Sequence, residues 1–495
     1  MSGHFGMFNG DKQLKSERLV SLCRLGATSI QHRGPGWTGV SYTNGDRVWA
    51  DDKAPKKVED FMTESLMKKI LSDEPVALAI HVQQSLKGMR GKIDAQHHYV
   101  RGAHGTWSLS TDGAIPRVDE LREQLKREKV PFYGHSTAEF LLLSILHIYE
   151  SGSSDLIKAM TQVMNKTVGV FSACLMTGEA AYLFRDRFAG QPFWLARFGS
   201  VYVWASESCA IDQMRWVLGE PELFRVIRPG EIIRIDCRDN FDSIQAVEPS
   251  RPLKRCIFNP VYTARPDSLI ENYEIVDWQS RMALIKEGRV STIGTHRMRA
   301  AQFSFGQREL PENSIIISVP ASGDFYQDGL SQASGLAMHH GIVRNPYVGR
   351  TFLGPFQEAR EEMALLKFNP LPDLFVGHPN VVVTDDSIVR GTNFKKICWM
   401  LRHCGAKNIQ LRIGSPPYIG VCHYGGDTRT EEELFANQCR GEDAQVDIVR
   451  LAKEIGADSV EYLTLENLKK CIGLISNPDD YCYSCFDCQR WHEEV

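Results

Sequence analysis

Long apolar runs are missing from this 495-residue chain: none approaches the roughly 18 residues needed to span a bilayer. A basic stretch followed by an apolar core is missing too. The chain opens Met1-Ser2-Gly3-His4-Phe5-Gly6-Met7-Phe8, so no signal peptide is expected. A large excess of either charge is missing; a net charge of -4 at pH 7 gives no electrostatic reason to expect nucleic-acid or membrane partners. Internal repeats and low-complexity tracts are absent. Thirteen cysteines is an odd count without a secretion signal, so buried thiols or a metal site are expected in place of disulfides. Together these absences predict a cytoplasmic protein.

What is present is the composition of a soluble globular chain, 43% hydrophobic and 24% charged. Two or three domains are expected, because single cores stop growing near ~250–300 residues. In the first ~240 residues, Val76 to Val82, Val201 to Glu207 and Glu231 to Ile235 read as strands. Val168 to Met176 and Ala181 to Phe184 read as a hairpin, and Ala138 to Ile148 as a largely buried helix. The polar, Pro-containing segment 237–255 reads as a domain junction. Beyond it, strands at Ser314 to Val319, Val381 to Thr384 and Ile409 to Ile413 alternate with helices near 328–340 and 393–404. That alternation predicts a mostly parallel, helix-covered sheet. His339-His340 reads as a helix end, and Gly349 to Gly377 as a long functional loop.

The most informative stretch is Val381 to Asn393. A β-branched apolar run ends in Asp385-Asp386, then Ser387-Ile388-Val389-Arg390-Gly391-Thr392 leads into an amphipathic helix. A loop of backbone N–H groups and hydroxyls at a helix N-terminus suits a phosphate monoester. The paired carboxylates suit ribose hydroxyls, with or without a bridging Mg²⁺. An ordinary strand-to-helix turn is the alternative.

That string resembles the phosphoribosyl pyrophosphate (PRPP) loop of glutamine PRPP amidotransferases. The resemblance extends to Ile30-Gln31-His32-Arg33-Gly34, Ala205 to Ala210, Tyr262 to Ser268, Asn345 to Phe352 and Ser415-Pro416-Pro417. It implies an α+β N-terminal Ntn-hydrolase-like domain (a four-layer αββα sandwich) over 1–245. A type I α/β phosphoribosyltransferase domain over 246–475 and a Cys-rich tail over 476–495 follow. It also implies PRPP contacts at Asp385, Asp386, Ser387, Ile388, Val389, Arg390, Gly391 and Thr392. Mg²⁺ would be held by Asp385, Asp386 and Ser322. Arg350 and Lys367, in the loop that would close over PRPP, would be catalytic residues. The family's [4Fe-4S] cluster would fall on Cys256, Cys422, Cys485 and Cys488. The tail reads Cys482-x-x-Cys485-x-x-Cys488, so spacing alone does not choose the pair. Zinc on the same thiolates, or unliganded cysteines, are the alternatives. The resemblance further implies purine nucleotide effectors and a homo-oligomer.

The same resemblance exposes departures. The family's N-terminal Cys-Gly, which supplies the nucleophile, is Ser2-Gly3 here. Its His-Val-Arg-Tyr is His81-Val82-Gln83-Gln84, its His-Asn-Gly is Thr111-Asp112-Gly113, and its amine-binding aspartate is Thr137. The lid carries Glu358, Glu361 and Glu362 against Arg360, and Pro346 stands where the family has arginine. The expected function is transfer of the phosphoribosyl group of PRPP to ammonia or another amine, without the chain's own glutaminase. Two readings compete: a non-catalytic PRPP- or nucleotide-binding regulator, and an amidotransferase whose Ser2 still hydrolyses glutamine.

Overall fold

In the computed structural model, the described residues are 2–85, 89, 91–102, 104–152, 155–238, 240–305, 310–346, 366–426, 428, 430–441 and 445–493. Short apolar strands in the first half form two antiparallel sheets. One runs Leu223–Val226, Trp194–Phe198, Val201–Ala205, Ser2–Asn9, Ala77–Gln83, Trp37–Thr43 and Val48–Trp49, with Lys53–Ala54 also on Trp37–Thr43. The other runs Phe241–Gln245, Glu231–Asp236, Ala180–Arg185, Val170–Met176, Gly105–Ala114 and His98–Gly102.

Phe8, Ala79 and Trp204 of the first sheet meet Leu183 and Ile233 of the second in one core. Helices Ser16–Ser29 and Ser208–Leu218 cover the outer face of the first sheet, where Leu19, Leu22, Ile211 and Met214 join Phe5 and Ile80. Thr137–Glu150 and Leu156–Lys166 cover the second, burying Leu141, Ile145 and Met160 against Leu109 and Leu175. The result is the expected αββα sandwich. Its middle strand, Ser2–Asn9, is buried along its whole length because each of its faces meets another layer.

In the second half, Ser314–Ser318, Asn380–Asp385, Asn408–Ile413 and Ser459–Tyr462 form a parallel sheet in that order. The side-chain period of two divides the Val381–Val383 run. Val381 and Val383 pack with Ile397 and Leu401, whereas Val382 packs with Ala300, Tyr326 and Leu330. Both faces are thus covered, as the apolar strands require.

Three expectations change. The junction segment contributes an edge strand, Phe241–Gln245, paired on Glu231–Asp236. The helix expected near 328–340 is Asp324–Ser334, stopped by Gly335 at φ 73; His339 lies past it and donates its N–H to the Ile316 carbonyl at 2.8 Å. The Gly349 to Gly377 stretch ends in a strand, Phe368–Pro370, and a helix, Pro372–Gly377, while residues 347–365 lie outside the described residues.

Candidate active site

Asp385 and Asp386 sit where the central strand of the parallel sheet ends, the position at which ligands bind in such sheets. The strand end is held on both sides: Val319 N–H donates to the Thr384 carbonyl (3.0 Å) and Gly414 N–H to the Asp385 carbonyl (2.8 Å). Both acids are buried. Burial and then the charge of its neighbour push Asp385 well above the usual carboxylate range, against a hydrogen bond from Ser322. Burial also raises Asp386, which accepts a hydrogen bond from Ser387 Oγ at 2.5 Å. Asp385 Oδ1 is buried with no partner among the described residues. Two adjacent buried acids with an orphaned oxygen are a donor set that fits a divalent cation.

The loop around them is shaped by two special backbones. Gly391 caps helix Thr392–His403 at φ 70, and a Cβ there would sit 2.7 Å from the Phe435 ring. Glycine therefore meets two demands at once. Ile388 is buried in the core and the Val389 carbonyl accepts from Phe435 N–H at 2.8 Å, so these two residues anchor the loop. Arg390 leans out to Glu433 at 2.8 Å. On the neighbouring strand, Ala321 adopts φ 79 in the Val319 to Gly323 loop, held by its N–H to Asp324 Oδ2 at 3.0 Å, which brings Ser322 to Asp385. A Cβ on Gly323 would stand 2.1 Å from the Thr384 carbonyl oxygen.

A second polar centre lies at Ser2. Ser2 Oγ and N–H both donate to Asp112 Oδ1, at 3.0 and 3.1 Å, and Asp112 Oδ2 accepts from Arg33 at 2.7 Å. Arg33, fully buried, also donates to the Ser2 carbonyl (2.8 Å), Glu207 (2.9 Å), Asn259 (3.3 Å) and Gln191 (3.3 Å). Burial opposes ionisation of Glu207, but His32 and Arg33 outweigh it and hold the carboxyl well below its usual range. The Arg265 N–H and Ser268 hydroxyl complete the shell of Glu207, both at 2.9 Å. Gln83 pairs with Ser2 across the sheet, and its Oε1 accepts from Gln96 N–H at 3.3 Å. Thr137 opens its helix behind the Ser136 cap.

The cysteines of the linker and tail lie in two settings. Cys256 and Cys482 face each other in a two-residue parallel ladder, Arg255–Cys256 on Tyr481–Cys482. Burial raises the Cys256 thiol to about 12, and the nearby Cys422 and Cys482 push the same way. Cys485 is raised by burial and then by Cys482, Cys256 and Cys422. Cys488 stands apart: it is exposed at φ 62, and its charged neighbours are Arg440, Glu431, Asp487 and Arg490. Gly426 N–H donates to Cys422 Sγ at 3.2 Å. Among the described residues no three His, Cys, Asp or Glu side chains stand close enough to ligate one metal ion. The four thiols are therefore a neighbourhood and not a preformed tetrahedral ion site.

Comparison with known proteins agrees with this geometry. A family model described as a glutamine amidotransferase domain matches residues 89–213. The amidophosphoribosyltransferase of Archaeoglobus fulgidus is 31% identical over 98% of this chain and 96% of its own. That of Methanocaldococcus jannaschii is 29% identical over the same shares, 98% and 96%. Among solved structures, the glutamine PRPP amidotransferase of B. subtilis complexed with ADP and GMP superposes with a TM-score of 0.80. It is 25% identical, and the match covers 98% of this chain and 96% of that one. A structure described as the allosteric regulatory enzyme of purine biosynthesis gives 0.82 at 27% identity, covering 98% and 95%. The chain belongs to the amidophosphoribosyltransferase family.

Amidophosphoribosyltransferases are pentosyltransferases, and the residues expected to serve that chemistry fall into three groups. Asp385, Asp386, Ser387 and Ser322 meet at one strand end, with Ile388 to Thr392 forming the adjoining loop. Lys367 is 4.8 Å from the Phe368 ring, and its carbonyl accepts from Asn345 N–H at 3.0 Å. Arg350, Arg360 and the lid glutamates fall outside the described residues. Three residues that the structure brings into these polar and thiol clusters escape a reading of sequence alone. Arg33 and Glu207 are visible only as parts of motifs, although a charged residue inside an otherwise apolar pattern is the available hint. Cys482 is hidden by the evenly spaced triplet of tail cysteines.

Proposed function

We propose that the protein binds PRPP with Mg²⁺ and transfers its phosphoribosyl group to ammonia or another amine, with its own glutaminase centre silent. The observation that carries this reading is the buried Asp385–Asp386 pair, with its unpartnered oxygen, beside a loop opening onto a helix N-terminus. In it, Asp385, Asp386 and Ser322 hold the cation and orient the ribose hydroxyls. The N–H groups of Ser387 to Thr392 and the helix dipole bind the 5-phosphate. Bound Mg²⁺ would neutralise charge on the departing pyrophosphate. Positioning does the rest, since an amine needs only to be held in line with C1 as the bond breaks. Purine nucleotides as effectors, a homo-oligomeric state and a cytoplasmic location belong to the same reading.

Silence of the glutaminase is supported by Asp112. An oxyanion needs a donor, and a carboxylate with both oxygens already accepting cannot be one. Gln83 and Thr137 bring no charge to glutamine's carboxylate or ammonium. The family's four-iron, four-sulfur cluster is proposed on Cys256, Cys422 and Cys485, with Cys482 preferred to Cys488 as the fourth ligand because it pairs beside Cys256.

Pyrophosphate release is the deciding assay, run with PRPP and Mg²⁺ and either ammonium or glutamine. Turnover with ammonium but not glutamine is expected. PRPP binding without turnover on any amine would leave a non-catalytic PRPP-binding protein. Glutamine-driven turnover abolished by Ser2→Ala would restore the amidotransferase reading.

A further inference from the structure

Behind the acid pair lies a buried cation to which nothing above gives a task. Helix Ile293–Phe305 packs on the face of the parallel sheet that carries Val382, through Ala300 and Ala301. One turn earlier it presents Arg297, which is buried. Its Nε donates to the Pro260 carbonyl at 2.9 Å and its Nη2 to the Ala264 carbonyl at 3.0 Å. Those two carbonyls lie on and just after the π-helix Asn259–Thr263, and both are neutral. The buried Arg33 and Arg185 each meet a carboxylate, at 2.7 and 2.9 Å, but Arg297 makes no ion pair among the described residues. A buried guanidinium held only by neutral acceptors is costly unless a negative group within reach of its field offsets it. Asp386 is such a group: burial raises its carboxyl, and the charge of Arg297 is among the influences that oppose the rise.

The surroundings are closed to water. Tyr326, buried and near all three charges, donates its hydroxyl to the Val261 carbonyl at 3.2 Å. Its ring lies against Gly414, where a Cβ would stand 2.1 Å away, and Gly414 N–H holds the Asp385 carbonyl. With little solvent to screen it, a fixed positive charge acts strongly on the acids. It acts equally on whatever the acids hold. The field that steadies a carboxylate repels a divalent cation beside it, and with twice the force that it exerts on a single charge. PRPP, whose phosphates enter from the open side of the strand end, would bring the negative charge that reverses this balance.

We propose that Arg297 is a positioning residue of the acid pair, a fixed countercharge that weakens the empty pair's hold on a bare divalent cation. The cation is then held firmly only together with PRPP. This inference rests on the metal role given to Asp385 and Asp386 under the proposed function.

Mn²⁺ is the probe, titrated into the full chain with and without PRPP and followed by the paramagnetic resonance of the free ion. Arg297→Gln removes the charge but keeps a donor for a carbonyl; Arg297→Lys keeps the charge. Without PRPP, Arg297→Gln should bind Mn²⁺ at least tenfold more tightly than the parent. That binding should vanish when Asp385→Asn/Asp386→Asn is added, and Arg297→Lys should stay near the parent. PRPP should tighten Mn²⁺ more in the parent than in Arg297→Gln. A merely structural role gives the opposite sign, because a loosened strand end would weaken Mn²⁺ in both variants. Arg297→Met, neutral and of similar length, carries the same expectation should the glutamine variant fail to fold. Equal or weaker binding in the neutral variants overturns the proposal and leaves the metal role of the acids standing. Tighter binding in Arg297→Lys to the same extent also overturns it. A parent that takes up no Mn²⁺ even with PRPP removes the metal role, and this inference with it.

Discussion

Side by side at the end of a buried strand, Asp385 and Asp386 oppose each other's ionisation. Their raised values mean that the unfolded chain loses those protons at lower pH than the folded one. The pair therefore favours the fold most at acidic pH, and this contribution falls as pH rises through the raised values. At neutral pH, millimolar Mg²⁺ should raise the melting temperature, and Asp385→Asn/Asp386→Asn should abolish that rise while melting higher than the parent without Mg²⁺. The same variant should lower turnover by about 10²-fold or more. Asp112 gives a second residue-scale test. Asp112→Asn breaks a buried pair with Arg33 and should destabilise by roughly 3–5 kcal/mol in urea unfolding, without creating glutamine hydrolysis. That an amide had become an acid is legible from Thr111-Asp112-Gly113. That its two oxygens would be divided between Ser2 and Arg33 is not, because those partners lie far away in sequence and meet only across the sheet.

Among elements, the loop from Asp385 to Thr392 is legible because strand, turn residues and amphipathic helix each follow a local rule, and the structure obeys all three. Gly391→Ala should weaken PRPP binding at least tenfold, measured as KM, because its φ of 70 and the Phe435 ring both reject a side chain. The tail is the opposite case. Evenly spaced Cys482, Cys485 and Cys488 look equivalent along the chain, and only the ladder between Tyr481–Cys482 and Arg255–Cys256 separates them. Anaerobic reconstitution followed by iron analysis and visible absorption checks the consequence. Cys482→Ser should lose bound iron and colour, whereas Cys488→Ser should retain both.

At the scale of the whole molecule, the seam between the two sheets holds His4, His81 and His97, with His98 on the far face of the second sheet, all buried. Desolvation lowers His4 to about 4 and His97 and His98 to about 3, with His81 also well below its usual value. A histidine depressed in the folded state contributes stability above about pH 6.5, and that contribution is lost as pH falls toward the folded value. Each should therefore contribute about 1 kcal/mol less at pH 5.5 than at pH 7.5. Unfolding free energies from urea titrations at those two values should differ by several kcal/mol in total, with the loss on the acid side. The sandwich itself is foreseeable from strand patterning, but this polar seam is not, because alternation identifies which residues turn inward without naming what they meet.

The Ser2–Asn9 strand has a consequence for how the chain is made. Phe5 is paired between Ile80 on one side and Ala205 on the other. This strand is thus the middle of its sheet, and its second neighbour is synthesised only some two hundred residues later. Until then it carries an open apolar edge, the condition under which nascent β-structure mispairs. Assembly of the first half must be slow and distant in contact, so recombinant yield should depend more on chaperone supply than on the stability of the finished fold.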